Sequence, residues 1–351
     1  MRILYAIQGT GNGHLSRARD IIPALQKKGE LDILVSGIQA DVKLDYPVKY
    51  TFQGLSFIFG KKGGVDIWET YVRAKLKNLL KEVSMLPIEE YDLVINDFEP
   101  VSAWACYRKK KPCISLSHQS AVLASEAPQP KKYDWFGRFI LRNYAPVSYH
   151  FGFHFQAYNA RIFTPVIRKE IRELEPINRG HYTVYLPAYS DEKLLDYLSQ
   201  FDQVQWQVFS KHNDQEIKYK NVQIQPIDNK KFIESMAGSE GVFCGAGFET
   251  PAEAMYLQKK LLVVPMKSQY EQQCNAIALK AMGVPVIKKL KSKHVAKIAD
   301  WIKNGKPIRV NYPDITEQII EKVIAHYNSG KIEQQAWEKE HSLLPVENVM
   351  K

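Results

Sequence analysis

Short apolar runs alternate with helical stretches along this chain in two separate blocks, and that rhythm constrains the fold more than any other feature. In the first block "RILYAI" (2–7), "LDILVS" (31–36), "YDLVIND" (91–97) and "CISLSH" (113–118) read as strands, with "VKYTFQG" following the second. Residues 15–28, 66–84 and 100–109 read as helices; Leu15, Ala18, Ile21, Ile22 and Leu25 fall at helical spacing and Gly29 closes the run. Short strands of near-continuous apolar residues are buried on both faces, which predicts a parallel sheet covered by helices. Residues 128–178 are rich in Pro, Tyr, Phe and Arg and follow no single period; "RELEPINRG" (172–180) reads as the linker.

The alternation restarts at 182. "YTVYLPAY", "VQWQVFS", "VQIQPI", "GVFCGAG", "KLLVVPM" and "VPVIKK" read as strands. Helices are expected at 190–200, 229–237, 250–257, 270–282 and 292–303, and in the tail at 314–327 and 331–342. The chain has 351 residues, room for two domains of about 150 residues each. The expectation is an α/β protein of two Rossmann-like, doubly wound domains, 1–170 and 180–325, facing each other across a cleft. A helical tail, 326–351, is expected to pack back on the first domain. Ligands of open α/β sheets sit outside the carboxyl ends of the strands, so both glycine turns belong at that cleft.

The first turn is "QGTGNGH", residues 8–14. It lacks the third glycine of a dinucleotide fingerprint, since His14 stands there. The second strand also ends in Ser36 and Gly37 rather than in an acid that would hold a ribose, which argues against an NAD site. It is not a P-loop either. What remains is a backbone that approaches a ligand closely through Gly11 and Gly13, at a helix N-terminus that favours anions. A helix N-terminus disfavours a second positive charge, leaving the His14 ring free to take a proton from a hydroxyl. The alternative is a histidine that only caps the helix.

The second turn, "CGAGFETPAEAM", offers Gly245, Ala246 and Gly247 to a diphosphate. Thr250 and Glu253 have capping-box spacing with Pro251 between them, so Glu253 is either a cap or a carboxylate for ribose hydroxyls. In "VVPMKSQYEQQCNA", Glu271, Gln272 and Asn275 supply the planar amides and carboxylate that read sugar hydroxyls, against the alternative of a solvated first turn.

Composition narrows the class further. The net charge is +10, with basic clusters in the first half, which favours phosphorylated ligands or an anionic surface; nucleic acid is not expected as a partner. There is no run of about 18 apolar residues and no leader pattern, so a cytoplasmic protein is expected. Cys106, Cys113, Cys244 and Cys274 are scattered without metal spacing and read as buried thiols. His150 and His154 fall four apart with no acidic third ligand nearby, so no metal site is expected.

"GVFCGAGFETPAEAM…KKLLVVPMKSQYEQQCNAIALKAMGV" resembles the nucleotide-sugar signature of GT-B glycosyltransferases. It is similar to the N-acetylglucosaminyltransferase of peptidoglycan precursor synthesis and to the UDP-glycosyltransferases. "GTGNGHLSRA" resembles the glycine-rich loop of the same group. A prokaryotic branch of glycosyltransferase-like proteins shares its G-x-G-H-x-x-R-A opening, "NDFEP", "SHQ" and the "GAGFET…EQ…NA" block. The resemblance covers about residues 1–325 and implies a GT-B fold. It implies that Gly245, Ala246 and Gly247 hold the donor diphosphate, Glu253 the ribose, Glu271 and Gln272 the sugar, and Asn275 the phosphates. The backbone near Pro226 and Ile227 would meet the base, and Gly11, Gly13 and His14 would close from the acceptor side; in some relatives a histidine in this loop is the catalytic base.

Phe248 and Glu249 depart from the small or hydroxylated residues of many relatives, and Glu271-Gln272 replaces paired glutamines, so the sugar need not be N-acetylglucosamine. The resemblance implies inverting transfer from a nucleotide sugar, a UDP-sugar first, without metal or cofactor. The acceptor would be a carbohydrate or lipid-linked molecule of the cell-envelope kind. Asp97, Glu99, His118 and Gln119 are the acceptor-side candidates, with Asp97 orienting His14, acting as base or capping a helix. The aromatic and arginine-rich stretch 133–153 fits either peripheral contact with an anionic membrane or a domain-junction core. A nucleotide-sugar 2-epimerase and a non-catalytic nucleotide-sugar binder are the competing readings.

Overall fold

The computed structural model describes residues 1–37, 44–55, 59–60, 64–65, 76–130, 134–267 and 269–330. The first domain contributes β1 (Arg2–Gln8), β2 (Glu30–Ser36), β3 (Tyr50–Phe52), a separate hairpin β4 (Phe59–Gly60) and β5 (Gly64–Val65), β6 (Leu93–Asp97), β7 (Ile114–Ser117), β8 (Tyr149–Phe153) and β9 (Ile162–Phe163). All of these except the hairpin join one parallel sheet ordered β3-β2-β1-β6-β7-β8-β9. The second contributes β10 (His181–Tyr185), β11 (Gln205–Ser210), β12 (Ile217–Tyr219), β13 (Val222–Pro226), β14 (Gly241–Gly245) and β15 (Lys260–Val264). Their order is β12-β13-β11-β10-β14-β15, parallel except for β12.

The apolar runs are continuous because both faces are covered. Ile3, Tyr5 and Ile7 of β1 enter one core while Leu4 and Ala6 enter the other. In the second domain Val242 and Cys244 of β14 face one way and Phe243 the other. The core containing Ile3 and Ile7 is continuous with that containing Val242 and Ala246, through Phe153, Phe155 and Phe248. The two domains therefore share apolar packing beneath the cleft.

Several local expectations are corrected. The first helix runs Asn12–Gln26, a turn earlier than its apolar spacing suggests, because Gly11 enters it with φ 89°. "CISLSH" stops being a strand at Ser117, whose hydroxyl caps a short helix His118–Val122. The stretch 128–178 holds the helix Trp135–Tyr144 and the two strands that complete the first sheet. "VPVIKK" makes only a single bridge, Val286 to Val263. The helix Thr316–Asn328 buries Ile319, Ile320 and Val323 in the shared core and ties to the first helix through Lys27–Glu317 and Lys28–Glu321 (3.1 Å), so the chain crosses back before residue 326. The helices expected at 331–342 and over 66–75 lie outside the described residues; Leu76–Met85 is helical.

Candidate active site

The two glycine turns leave β1 and β14 at their carboxyl ends and meet across the cleft. Gly13 backs onto the second domain so closely that a Cβ there would lie 3.1 Å from Glu249 Cγ. One turn of helix separates His14 from Arg17, which puts both on one face. His14 Nδ1 donates to Asp97 Oδ1 at 2.9 Å, and Arg17 Nη2 donates to both Asp97 oxygens at 2.8 Å. Arg17 Nη1 pairs with Glu249 on the far side of the cleft. Arg17 and Asp97 are fully buried.

The charges balance through this contact. Burial would raise the Asp97 carboxyl, but Arg17 and then His14 outweigh it and hold it below the usual range. Burial disfavours the Arg17 cation, and Asp97 and Glu249 more than restore it. For Glu249 burial wins over Arg17, pushing its carboxyl up to about 7. Phe98 follows Asp97 with φ 57°, a left-handed conformation that costs a bulky residue about 1–3 kcal/mol and marks the site as strained. Its ring lies parallel to His14 at 6.5 Å and packs on Tyr144 at 4.7 Å.

With Nδ1 bonded to Asp97, His14 keeps the lone pair of Nε2. That atom faces Gln119 Nε2 at 3.4 Å, and the same amide donates to Glu271 Oε2 at 2.9 Å. The neighbouring His118 lies with Nε2 2.8 Å from Asn275 Oδ1 and Nδ1 2.8 Å from the Phe153 carbonyl, and its ring stacks on Phe248 at 4.0 Å. Asn275 in turn donates to the Ala246 carbonyl at 3.1 Å. Burial lowers the His118 pKa, with Glu271 opposing.

These residues surround a cavity of about 290 Å³, lined from the first domain by Thr10, Gly11, Gly13, His14, Phe98 and Gln119 and from the second by Phe248, Glu249, Gln269 and Glu271, among others. Thr10 Oγ1, Gln119 Oε1 and Gln269 Oε1 are buried on this lining without a hydrogen-bond partner. Buried polar groups are nearly always satisfied, so three orphans on the lining of one cavity fit a hydroxyl-rich ligand. A second cavity of about 90 Å³ adjoins the other turn, between Tyr185–Tyr189 and Gly245, Gly247 and Thr250; Gln272 lines both.

Residues 1–305 match the family model described as Glycosyl transferase family 1. The chain belongs to that family. Glycosyl transferase family 1 membership makes it a glycosyltransferase, and its solved neighbours share the GT-B fold. Acinetobacter baumannii MurG is 15% identical with a TM-score of 0.56, covering 92% of this chain and 99% of that one. An S. aureus MnaA–UDP structure is 12% identical with a TM-score of 0.61 over 93% and 97%. The spinosyn rhamnosyltransferase SpnG, complexed with spinosyn aglycone, is 13% identical with a TM-score of 0.54 over the whole of both chains. No curated protein matches.

Within this glycosyltransferase, Gly11, Gly13, His14, Gln119, Glu271 and Gln272 lie together on the main cavity, with Asp97 directly behind His14. Gly245 and Gly247 line the smaller one. Ala246 and Asn275 are buried and shape the turn through their mutual hydrogen bond.

Two assignments are corrected. Glu253 is buried with both carboxylate oxygens held by Arg168, at 2.5 and 2.9 Å, so it neither caps a helix nor faces the cleft. The capping box fails because the helix starts at Glu249, a turn's edge earlier than Thr250 requires. Glu99 is fully buried and caps the helix Pro100–Arg108, accepting from Val101 N and Ser102 N at 2.6 Å and from Ser36 Oγ at 2.6 Å, so it cannot meet an acceptor. Ile227 lines neither cavity, and its N–H donates to the Ser210 carbonyl at 3.1 Å. Sequence reasoning misses Arg17 and Thr10 as lining residues; the three-residue spacing of His14 and Arg17 is the available signal for the first.

Among the described residues no helix is long and apolar enough to cross a membrane. Among the same residues no three His, Cys, Asp or Glu side chains are grouped to hold a metal ion.

Proposed function

We propose that this glycosyltransferase moves a sugar from a nucleoside diphosphate, UDP first among candidates, to an acceptor hydroxyl by direct displacement with inversion. The observation that carries the reading is His14, whose Nδ1 is held by Asp97 while Nε2 faces the cavity. The acceptor oxygen attacks the anomeric carbon, the bond to the diphosphate breaks, and its electron pair stays on the phosphate oxygen. The acceptor proton passes to His14 Nε2, and Asp97 stabilises the imidazolium so formed. Two helix N-termini, those after Gly11 and after Phe248, favour the leaving diphosphate. Glu249 sits at the second of these ends, where a carboxyl that titrates near neutrality is compatible with a phosphate when protonated.

UDP is supported by two neighbours in fold, the S. aureus MnaA–UDP structure and a UDP-glucosyltransferase from Polygonum tinctorium. No metal is required in this reading, because the cavity's carboxylates are already engaged, Glu249 by Arg17 and Glu271 by Gln119.

A thermal-shift panel of nucleotides and nucleotide sugars, followed by assay of nucleoside diphosphate release, tests this. UDP is expected to raise the melting temperature, and His14→Ala to lower turnover by about 10²–10⁴-fold while leaving that shift in place. Conversion of a UDP-sugar without acceptor would instead identify an epimerase, the activity named for a neighbour with a TM-score of 0.54. Binding without turnover, indifferent to His14, would identify a nucleotide-sugar binder.

A further inference from the structure

Glutamine recurs at every second residue in "QWQ" of β11 and in "QIQ" of β13. Trp206, Val208, Val222 and Ile224 enter the core on one face of the sheet, so Gln205, Gln207, Gln223 and Gln225 stand on the other. Parallel strands are normally apolar on both faces because helices cover both. Here the cover is incomplete. The helix Asn229–Gly238 sends Ile233, Met236 and Ala237 into the core beside Val242 and Cys244, and its Ser235 hydroxyl meets the Thr183 hydroxyl of β10 at 2.8 Å. It therefore lies over β10 and β14, and a groove of about 490 Å³ opens above β11 and β13. Gln207 stands opposite Gln223, and Gln223 opposite Lys218 of the edge strand β12. Gln207 Oε1 accepts from the Ser235 hydroxyl at 2.7 Å, which leaves its amide N–H groups to the groove.

The rim is basic. Arg179, Lys218, Lys220 and Lys231 line it against one carboxylate, Glu234. Lys231 lies 3.8 Å from Glu216, an exposed pair that offsets little of its charge. Arg179 leads into β10 and Lys218 lies on β12, and those strands are three spacings apart in the sheet, about 14 Å. A rim that wide suits several anionic groups in a row rather than one phosphate. Between the cations the floor offers planar amides, whose paired donors and acceptors suit sugar hydroxyls. Asn221 adds an orphan acceptor to the lining: it is buried, its Nδ2 donates to the Phe201 and Val204 carbonyls at 2.7 and 2.8 Å, and its Oδ1 has no partner. A hydroxyl donor would satisfy it. Trp206, the aromatic residue of the lining, turns its ring into the core, so the groove offers no platform on which bases could stack. None of the lining residues is shared with the two cavities at the cleft.

We propose that this groove is a second carbohydrate site, which holds a glycan chain bearing repeated anionic groups, carboxylate or phosphate, away from the reacting centre. It uses no residue of the cleft and stands independently of the transfer reading. The full chain is titrated calorimetrically at low salt with decagalacturonate and with phosphorylated dextran of similar length. Methyl-esterified decagalacturonate and plain dextran are their uncharged counterparts; polyglutamate is a polyanion without hydroxyls, and polyuridylate represents nucleic acid. At least one charged glycan is expected to bind about tenfold or more tightly than its uncharged counterpart. Arg179→Glu combined with Lys218→Glu, at exposed positions on opposite sides of the groove, is expected to weaken that binding about tenfold with the melting temperature unchanged. Gln205→Ala combined with Gln223→Ala is expected to weaken glycan binding about fivefold and to leave polyglutamate unaffected.

Failure of both charged glycans to bind overturns the proposal. So does equal binding of polyglutamate, which would mean a nonspecific polyanion surface, and so does tighter binding of polyuridylate, which would mean a nucleic-acid surface. Undiminished glycan binding by the charge-reversed variant would place the ligand elsewhere on the molecule and overturns it as well.

Discussion

Replacing Arg17 with methionine keeps the length of the side chain and removes its charge, and it should split the pH dependence of stability in two. In the native protein one guanidinium answers Asp97 twice at 2.8 Å and Glu249 once more, with Arg17 and Asp97 both shut away from water. Breaking one buried pair by removing a partner costs about 3–5 kcal/mol. Here the remaining His14 contact offsets part of the loss, so about 3 kcal/mol at pH 8 is expected. The sign with pH follows from the carboxylate. With Arg17 present, the Asp97 pKa is lowered, so its contribution to stability is present above the ordinary carboxylate value and is lost as pH falls.

Without Arg17, burial dominates and the native pKa rises above the unfolded one. The variant then binds a proton on folding, and its stability falls as pH rises between those two values, by about 1.4 kcal/mol per pH unit for one group. Urea titrations of both proteins at pH 5, 6.5 and 8, followed by tryptophan fluorescence, should therefore diverge with rising pH and approach each other at pH 5. Parallel curves, or an equal loss at every pH, would refute the assignment of Arg17 as the counter-charge of the site.

Glu249→Gln should flatten the wild-type stability profile between about pH 4.5 and 7. There the raised carboxyl of the native state binds a proton that the unfolded chain has released, so stability declines as pH rises through that window, and the amide has no such slope. Arg168→Ala should lower stability by about 3–5 kcal/mol in urea because it strands Glu253 in the core, while UDP affinity at a temperature where the protein stays folded should be unchanged; weakened UDP binding would return Glu253 to the ribose. Glu99→Ala should cost about 1–2 kcal/mol as a lost helix cap, read by thermal melting, with no change in KM for acceptor.

The parts of the site that are legible in sequence are those set by local backbone demands. Glycines after β1 and β14 mark close approach, and the strand–turn–helix rhythm places them at one end of each sheet. Partners far apart in the chain are not legible in this way. Arg168 and Glu253 are 85 residues apart, and nothing near Glu253 distinguishes a carboxylate waiting for an arginine from one waiting for a ribose. Glu99 illustrates a smaller shift: a cap before Pro100 at Asp97 is one of the alternatives the sequence leaves open, but the left-handed Phe98 turns the chain so that Glu99 reaches the helix end and leaves Asp97 to His14. The stretch 128–178 is hard to read because its helix Trp135–Tyr144 keeps its apolar residues partly in water, so the usual inside–outside contrast is weak there.

Of the first-domain side chains that reach the second domain, three also line the cavity: Arg17 to Glu249, Gln119 to Glu271, and His118 to Asn275. Any outward swing of one domain large enough to admit a nucleotide sugar breaks all three at once. The same swing takes Glu249 from Arg17 and Glu271 from Gln119, so the second-domain wall that faces His14 is withdrawn whenever the cleft stands open. Entry of substrate and readiness for chemistry are then exclusive states of one set of atoms. A donor held in the closed cleft is shielded from water as a by-product of that exclusion, with no separate lid required.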